Sequence, residues 1–139
     1  MIVVDTSVAV QWVSEESTSD LADALLARDD LAAPDFMLVE AANALYRKVF
    51  VGEASQEHVA AGLQFIRDRV ELFPVTVAAL SRAIAIAEQM HHRSIFDCLF
   101  VALAEANDGL VVTWDQDLHR HAHQRGFAEL VSHLPLDEQ

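Results

Sequence analysis

The sequence predicts a parallel α/β sandwich, on three observations. Short apolar, β-branched runs at 2–4 and 110–113 are each followed closely by an acid, which suits strands buried on both faces. Segments with three- and four-residue apolar spacing alternate with these runs, and parallel strands need helical crossovers. Four Gly and three Pro among 139 residues leave too little turn material for a turn-dense all-β design. The length favours a single domain over 1–139, since one core commonly holds about 100–150 residues. No linker, repeat or low-complexity stretch divides it.

Taken in order, Ile2-Val3-Val4 is the first strand. Helical spacing runs from Thr6 to Val13, and again from about Ser17, read as an N-cap, to Asp29. Leu31-Ala32-Ala33 forms a second strand, because the residue before Pro34 is pushed toward extended geometry. Asp35 to Val51, closed by Gly52, and Ser55 to Val70 read as an antiparallel helical hairpin. Leu72 to Thr76 is a third strand, which Pro74 confines to a strand end or an edge. Helices flank a break at His91-His92, and the second of them covers Phe96 to Glu105. Leu110 to Thr113 and Leu130 to Ser132 complete the strands, and 135–139 is expected to be a frayed tail.

Nine Lys+Arg against 22 Asp+Glu give a net charge of −13. That argues against a broad electrostatic grip on nucleic acid, because sequence-independent affinity comes from neutralising phosphates with a basic face. The single Cys98 cannot form an intrachain disulfide and stands among Phe96, Leu99 and Phe100, so it reads as a small buried hydrophobe in a reducing cytoplasm. Met1 to Asp5 lacks the basic region of a secretory leader. No stretch of about 20 residues is free of charge, so no membrane span is expected.

Asp5 and Asp115 follow strands directly, so in a parallel sheet both emerge at the carboxyl edge, where open α/β sheets bind ligands. Each also suits a helix N-cap. Glu40 shares a stripe with Phe36, Asn43 and Arg47 on a helix otherwise rich in apolar residues. It is either part of an exposed polar stripe or a carboxylate aimed into a cleft. Asp97 opens a helix apolar all the way round to Glu105, where an unpaired charge is costly; alternatively Ser94-Ile95-Phe96-Asp97 is a variant capping box. His119 and His123 lie one helical turn apart, a spacing compatible with zinc or with a solvated face. No Gly-rich phosphate loop is present, Asp5-Thr6-Ser7 lacks the second acid of aspartyl-phosphate phosphatases, and Lys48 lies mid-helix, against a receiver domain.

Taken together, Asp5-Thr6-Ser7, Glu40 with Asn43, Ser94-Ile95-Phe96-Asp97 and Thr113-Trp114-Asp115 resemble the pattern of the PIN-domain family, in particular the VapC toxins of toxin–antitoxin pairs. The resemblance covers nearly the whole chain, with separations of 35, 57 and 18 residues between successive acids. It implies a three-layer α/β/α sandwich with a mostly parallel central sheet, and a metal-dependent endoribonuclease acting as a toxin. Asp5, Glu40, Asp97 and Asp115 match the acidic metal-site positions, while Thr6 or Ser7, and Thr113, match hydroxyl positions that orient them. Asn43 accompanies Glu40, and Asp117 is either an auxiliary ligand or a first-turn helix residue. Arg47, Lys48, Arg93 and Arg120 lie near the acids in sequence and read as phosphate contacts or as solvent-facing charges. An RNA substrate, a cognate antitoxin that covers the cleft with an Arg or Lys, and a homodimer are likewise implied.

Trp114 and Phe96 depart from the family's usual residues without removing a proposed ligand; Trp114 either covers the core or stacks on a base. Four converging carboxylates ask for a cation on physical grounds alone, since a pair about 4–6 Å apart repels by roughly 3–4 kcal/mol at an effective dielectric near 20. Hard oxygen donors suit Mg²⁺ or Mn²⁺. Two other readings stay open: a metal-dependent nuclease or phosphatase acting on DNA or small phosphate esters, and a non-catalytic acidic module that recruits a basic partner.

Overall fold

The computed structural model describes residues 1–14 and 19–134; the expected Ser17 cap and the 135–139 tail lie outside the described residues. Five parallel strands form one sheet: β1 (Ile2–Val4), β2 (Leu31–Pro34), β3 (Glu71–Phe73), β4 (Leu110–Thr113) and β5 (Val131–His133), in the spatial order β3-β2-β1-β4-β5. Val3, Val4, Val111 and Val112 are completely buried, as strands covered on both faces require.

Helices α1 (Thr6–Ala9), α2 (Ser19–Asp23), α3 (Met37–Phe50) and α4 (Gln56–Arg69) belong to the crossovers from β1 to β2 and from β2 to β3. Helices α5 (Val77–Met90) and α6 (Ile95–Ala106) carry the chain back across the sheet to β4, and α7 (Gln116–Gln124) leads on to β5. The chain steps in one direction from β1 and in the opposite direction from β4. Right-handed crossovers therefore place the two helix groups on opposite faces, giving three α/β/α layers. Central α6 packs on β1, β2 and β4 and buries Cys98 through Ala102 together with Ala104.

Boundaries differ from the sequence reading for local reasons. The helix at 6–13 tightens after Ala9 into a 3₁₀ turn over Val10–Val13, and the one at 17–29 becomes 3₁₀ over Ala24–Ala27. The indole N–H of Trp12 donates to the Ala22 carbonyl at 2.8 Å and ties these two segments together. The third strand stops at Phe73 instead of reaching Thr76, because Pro74 has no N–H for a ladder. β3 is also an edge strand. The last strand begins one residue late, since the Leu130 N–H closes a turn onto the Phe127 carbonyl at 3.0 Å. Ser55 caps α4 as its spacing suggests, accepting from the His58 N–H at 3.1 Å.

Phe100 is fully buried and meets Phe36 edge-on, with ring centroids 5.4 Å apart. Phe100→Ala should cost about 3–5 kcal/mol, because the cavity left under the sheet adds to the lost transfer energy. Val77→Ala, at a position 80% exposed, should stay within about 0.5 kcal/mol. Urea denaturation of the two variants checks both values.

Candidate functional site

The strand order reverses its direction of growth between β1 and β4, which opens a crevice beyond their carboxyl ends. Pairing of Val4 with Val112 places Asp5 beside Thr113, and the Asp5 N–H donates to the Val112 carbonyl at 3.1 Å. Asp5 is only 5% exposed. Its Oδ2 accepts from Thr113 Oγ1 at 2.6 Å and from Ser7 Oγ at 2.9 Å, while Oδ1 accepts from the Thr6 N–H at 2.9 Å. Asp5 is thus both the N-cap of α1 and the centre of a polar network.

That network extends to two more acids. Thr6 Oγ1 donates to Glu40 Oε1 at 2.7 Å, which brings α3 against the start of α1. Thr113 Oγ1 accepts from the Asp115 N–H at 2.9 Å, and Ser7 Oγ from the Trp114 N–H at 3.1 Å. Asp115 Oδ1 caps α7 through the N–H groups of Asp117 and Leu118. The capping alternative for Asp115 therefore holds alongside its place at the crevice. The capping-box alternative for Asp97 does not: the Ser94 side chain makes no cap bond, and Asp97 Oδ2 pairs with His92 Nε2 at 2.7 Å.

Electrostatics ties the four acids together. Burial pushes the Asp5 carboxyl up from 3.8 to about 6; the hydroxyls of Thr113 and Ser7 oppose the rise, and the charges of Asp97 and Glu40 add to it. Glu40 is raised by burial and by Asp97, against the Thr6 hydrogen bond. Asp97 is raised by burial and by Asp115, against its contact with His92. The charges of neighbouring acids thus oppose the ionisation of Asp5, Glu40 and Asp97.

The remaining candidates divide. Asn43 and Arg47, both exposed, line a cleft of about 270 Å³ with Thr6, Ser7 and Glu40. Lys48 lines a different hollow, with Trp12 and His58. Arg93 is exposed beside a third, shared with His91, His92, Asp117 and His121. Arg120 pairs with Asp117 at 2.6 Å, and Asp117 itself is exposed in the first turn of α7. Trp114 is half-buried against the core, edge-on to His133. His119 and His123 are 4.0 Å apart between ring centroids, and His123 Nε2 contacts the Val131 carbonyl. Burial pushes the Cys98 thiol up to about 12, consistent with an inert core residue.

Sequence reasoning missed His92. It was legible only as part of a helix break, and its reach to Asp97 depends on how the chain turns there. All four clustered acids offer hard oxygen donors, and three are held at a disadvantage as anions, a condition a divalent cation relieves. Among the described residues, no three His, Cys, Asp or Glu side chains close into a ready coordination shell.

A family model described as PIN domain matches residues 2–124. No curated protein sequence matches the chain. Among solved structures, the fold is similar to Mycobacterium tuberculosis VapC20, described as a sarcin–ricin-loop-cleaving toxin, with TM-score 0.71, 18% identity and coverage of 93% of this chain and 98% of that one. It is also similar to PAE2754 from Pyrobaculum aerophilum, with TM-score 0.70, 18% identity and coverage of 86% and 78% respectively. VapBC2 of Rickettsia felis, solved on a fragment of its promoter DNA, gives TM-score 0.66, 15% identity and coverage of 96% and 98%.

A raised carboxyl favours the neutral acid in the folded state. Asp5 therefore contributes stability that is complete below its unfolded value near 4 and lost as pH rises through about 6. In chelator, wild type should lose about 2 kcal/mol from this group between pH 4 and 7, at about 1.4 kcal/mol per pK unit. Asp5→Asn should remove that part of the slope. Urea titrations across this range read the difference, and superimposable pH profiles for the two proteins would contradict the burial of an ionisable Asp5.

Proposed function

The chain belongs to the PIN-domain family, and on that footing we propose that it is a divalent-metal-dependent endoribonuclease, the toxin of a toxin–antitoxin pair. It would act as one cytoplasmic domain over 1–139. The observation that carries this reading is the raised carboxyls of Asp5, Glu40 and Asp97 at the switch point of the sheet, each opposed by burial and by the charge of a neighbouring acid, which for Asp97 is Asp115. Three acids held at that disadvantage, with Asp115 beside them, call for a cation. All-oxygen donors suit Mg²⁺ or Mn²⁺, which would draw the carboxylates into a shell that they do not form alone.

A divalent ion held there supplies positive charge to activate water and to stabilise the departing oxygen of a phosphodiester. The chain's own groups do the positioning. Thr113 and Ser7 fix the Asp5 carboxylate from one side, and Thr6 fixes Glu40 at the base of the cleft. Arg47 stands at the exposed rim of that cleft, where it would meet a phosphate and keep the strand in line. Arg93, beside the separate hollow lined by His92 and His121, would meet a phosphate elsewhere on the strand. Arg120 serves this purpose only after release from Asp117.

Support for RNA as substrate and for an antitoxin partner comes from the likeness to VapC20, described as cleaving the sarcin–ricin loop, and to the VapBC2 complex. The net charge of −13 limits general affinity for RNA, so recognition would be local and substrate-selective. An acidic crevice also suits an inserted Arg or Lys from a basic antitoxin segment. A homodimeric toxin belongs to the same proposal.

Purified protein with Mg²⁺ or Mn²⁺ should cleave structured RNA, leaving DNA and a phosphomonoester intact, and chelation should abolish the activity. Asp5→Asn and Asp97→Asn should each lower the rate by more than about 100-fold, exceeding the 10–100-fold loss typical of removing an outer partner of a metal ligand. Cleavage of DNA alone would displace the ribonuclease reading. Neither cleavage nor thermal stabilisation by millimolar metal would leave the acidic binding module.

A further inference from the structure

We propose that His92 is a positioning residue for the acidic site: it holds the Asp97 carboxylate in the orientation a divalent cation requires, and His121 holds His92 in turn. The inference rests on the metal-site reading above and concerns residues that reading does not use.

The backbone delivers His92 to this place. α5 ends on His91 in the left-handed region, at φ 54°, and the His92 N–H closes the reversal onto the Ala87 carbonyl at 2.9 Å. The turn redirects the chain from α5 into α6, in whose first turn Asp97 lies. A left-handed residue without glycine's freedom is tolerated here because the turn satisfies two helix-end carbonyls, those of Ala87 and Glu88.

The side chain is then fixed at both ends. His92 Nε2 lies 2.7 Å from Asp97 Oδ2 and His92 Nδ1 lies 2.8 Å from His121 Nδ1, with the two imidazoles edge-on at 5.1 Å. Only 7% of the His92 side chain is exposed. An ionised Asp97 can only accept, so His92 Nε2 carries the proton and donates. In the neutral ring Nδ1 is then the acceptor, and His121 Nδ1–H must be the donor. With both rings neutral, the hydrogen bonds therefore run from His121 to His92 to Asp97. His121 projects from α7, the helix that Asp115 caps, so the relay braces α6 against the element beside the fourth acid.

One oxygen of Asp97 is thereby occupied and the other is left for an ion, the arrangement by which outer partners orient ligating carboxylates. Since Ser94 does not engage the start of α6, Asp97 is not committed to its own helix and takes its orientation from His92.

Mn²⁺ titration followed by the thermal unfolding midpoint tests this without relying on catalysis. His92→Ala should bind Mn²⁺ about 10–100-fold more weakly than wild type. His92→Gln, whose amide nitrogen can donate from nearly the position of Nε2, should recover part of the loss, and His121→Phe should lose less than His92→Ala. A folded His92→Ala with wild-type affinity overturns the proposal. So does one that binds more tightly, which would make His92 a competitor for the carboxylate. If His92→Ala fails to fold, His92→Leu, which fills the space without a donor, takes its place, and wild-type affinity there overturns the proposal. A wild type that shows no Mn²⁺ response removes the metal-site reading itself and this inference with it, whereas failure of the His92 series alone leaves that reading standing.

Discussion

A carboxylate buried at the end of a central strand is the constraint from which the rest of the site follows. Asp5 has almost no contact with solvent, and an ionised group there is costly unless paired or hydrogen-bonded. The protein offsets that cost only in part. Two hydroxyls and a backbone amide converge on its oxygens, while burial and the neighbouring charges of Asp97 and Glu40 still hold the acid well above its ordinary range. No Lys or Arg forms a salt bridge with any of the four acids among the described residues. A site arranged for stability alone would pair Asp5 with a cationic side chain.

The sheet makes such a site available. With β1 and β4 adjacent and their crossovers leaving in opposite directions, the carboxyl ends of both strands face an opening that no crossover covers. The hydroxyl of Thr113 serves both sides of the opening, donating to Asp5 and accepting from the Asp115 amide. α3 and α6 bring the other two acids from opposite layers. Each is held by a side chain outside its own helix, Thr6 for Glu40 and His92 for Asp97. Strain accumulated at one place and balanced by a packed core elsewhere is the usual signature of a functional site.

Structural likeness at 15–18% identity establishes the fold, and one fold can host many chemistries. The proposed nuclease function therefore rests on the acids of the site. The acidity of the chain as a whole opposes a nucleic-acid substrate, and the four of its 22 acids that gather at the crevice stand in a form that a divalent ion would reverse locally.

The sequence by itself determined the layered α/β architecture, because apolar runs of two periods alternate along it, and each strand and long helix shows its own period locally. It also determined which acids were out of place: Asp97 before an apolar helix and Glu40 within one are anomalies that burial energetics makes visible in one dimension. Tertiary structure decided what those anomalies do. That Asp115 caps a helix while Asp97 does not join a capping box, that Arg120 is tied to Asp117, and that the strand at 72–76 ends at Phe73 each turned on which group was nearer in space. His92 is the clearest case, since a histidine at a helix end has no periodicity to betray it. Its partners come from α6 and α7, 5 and 29 residues away. Hydrogen bonds act over about 3 Å, so only the folded chain selects them.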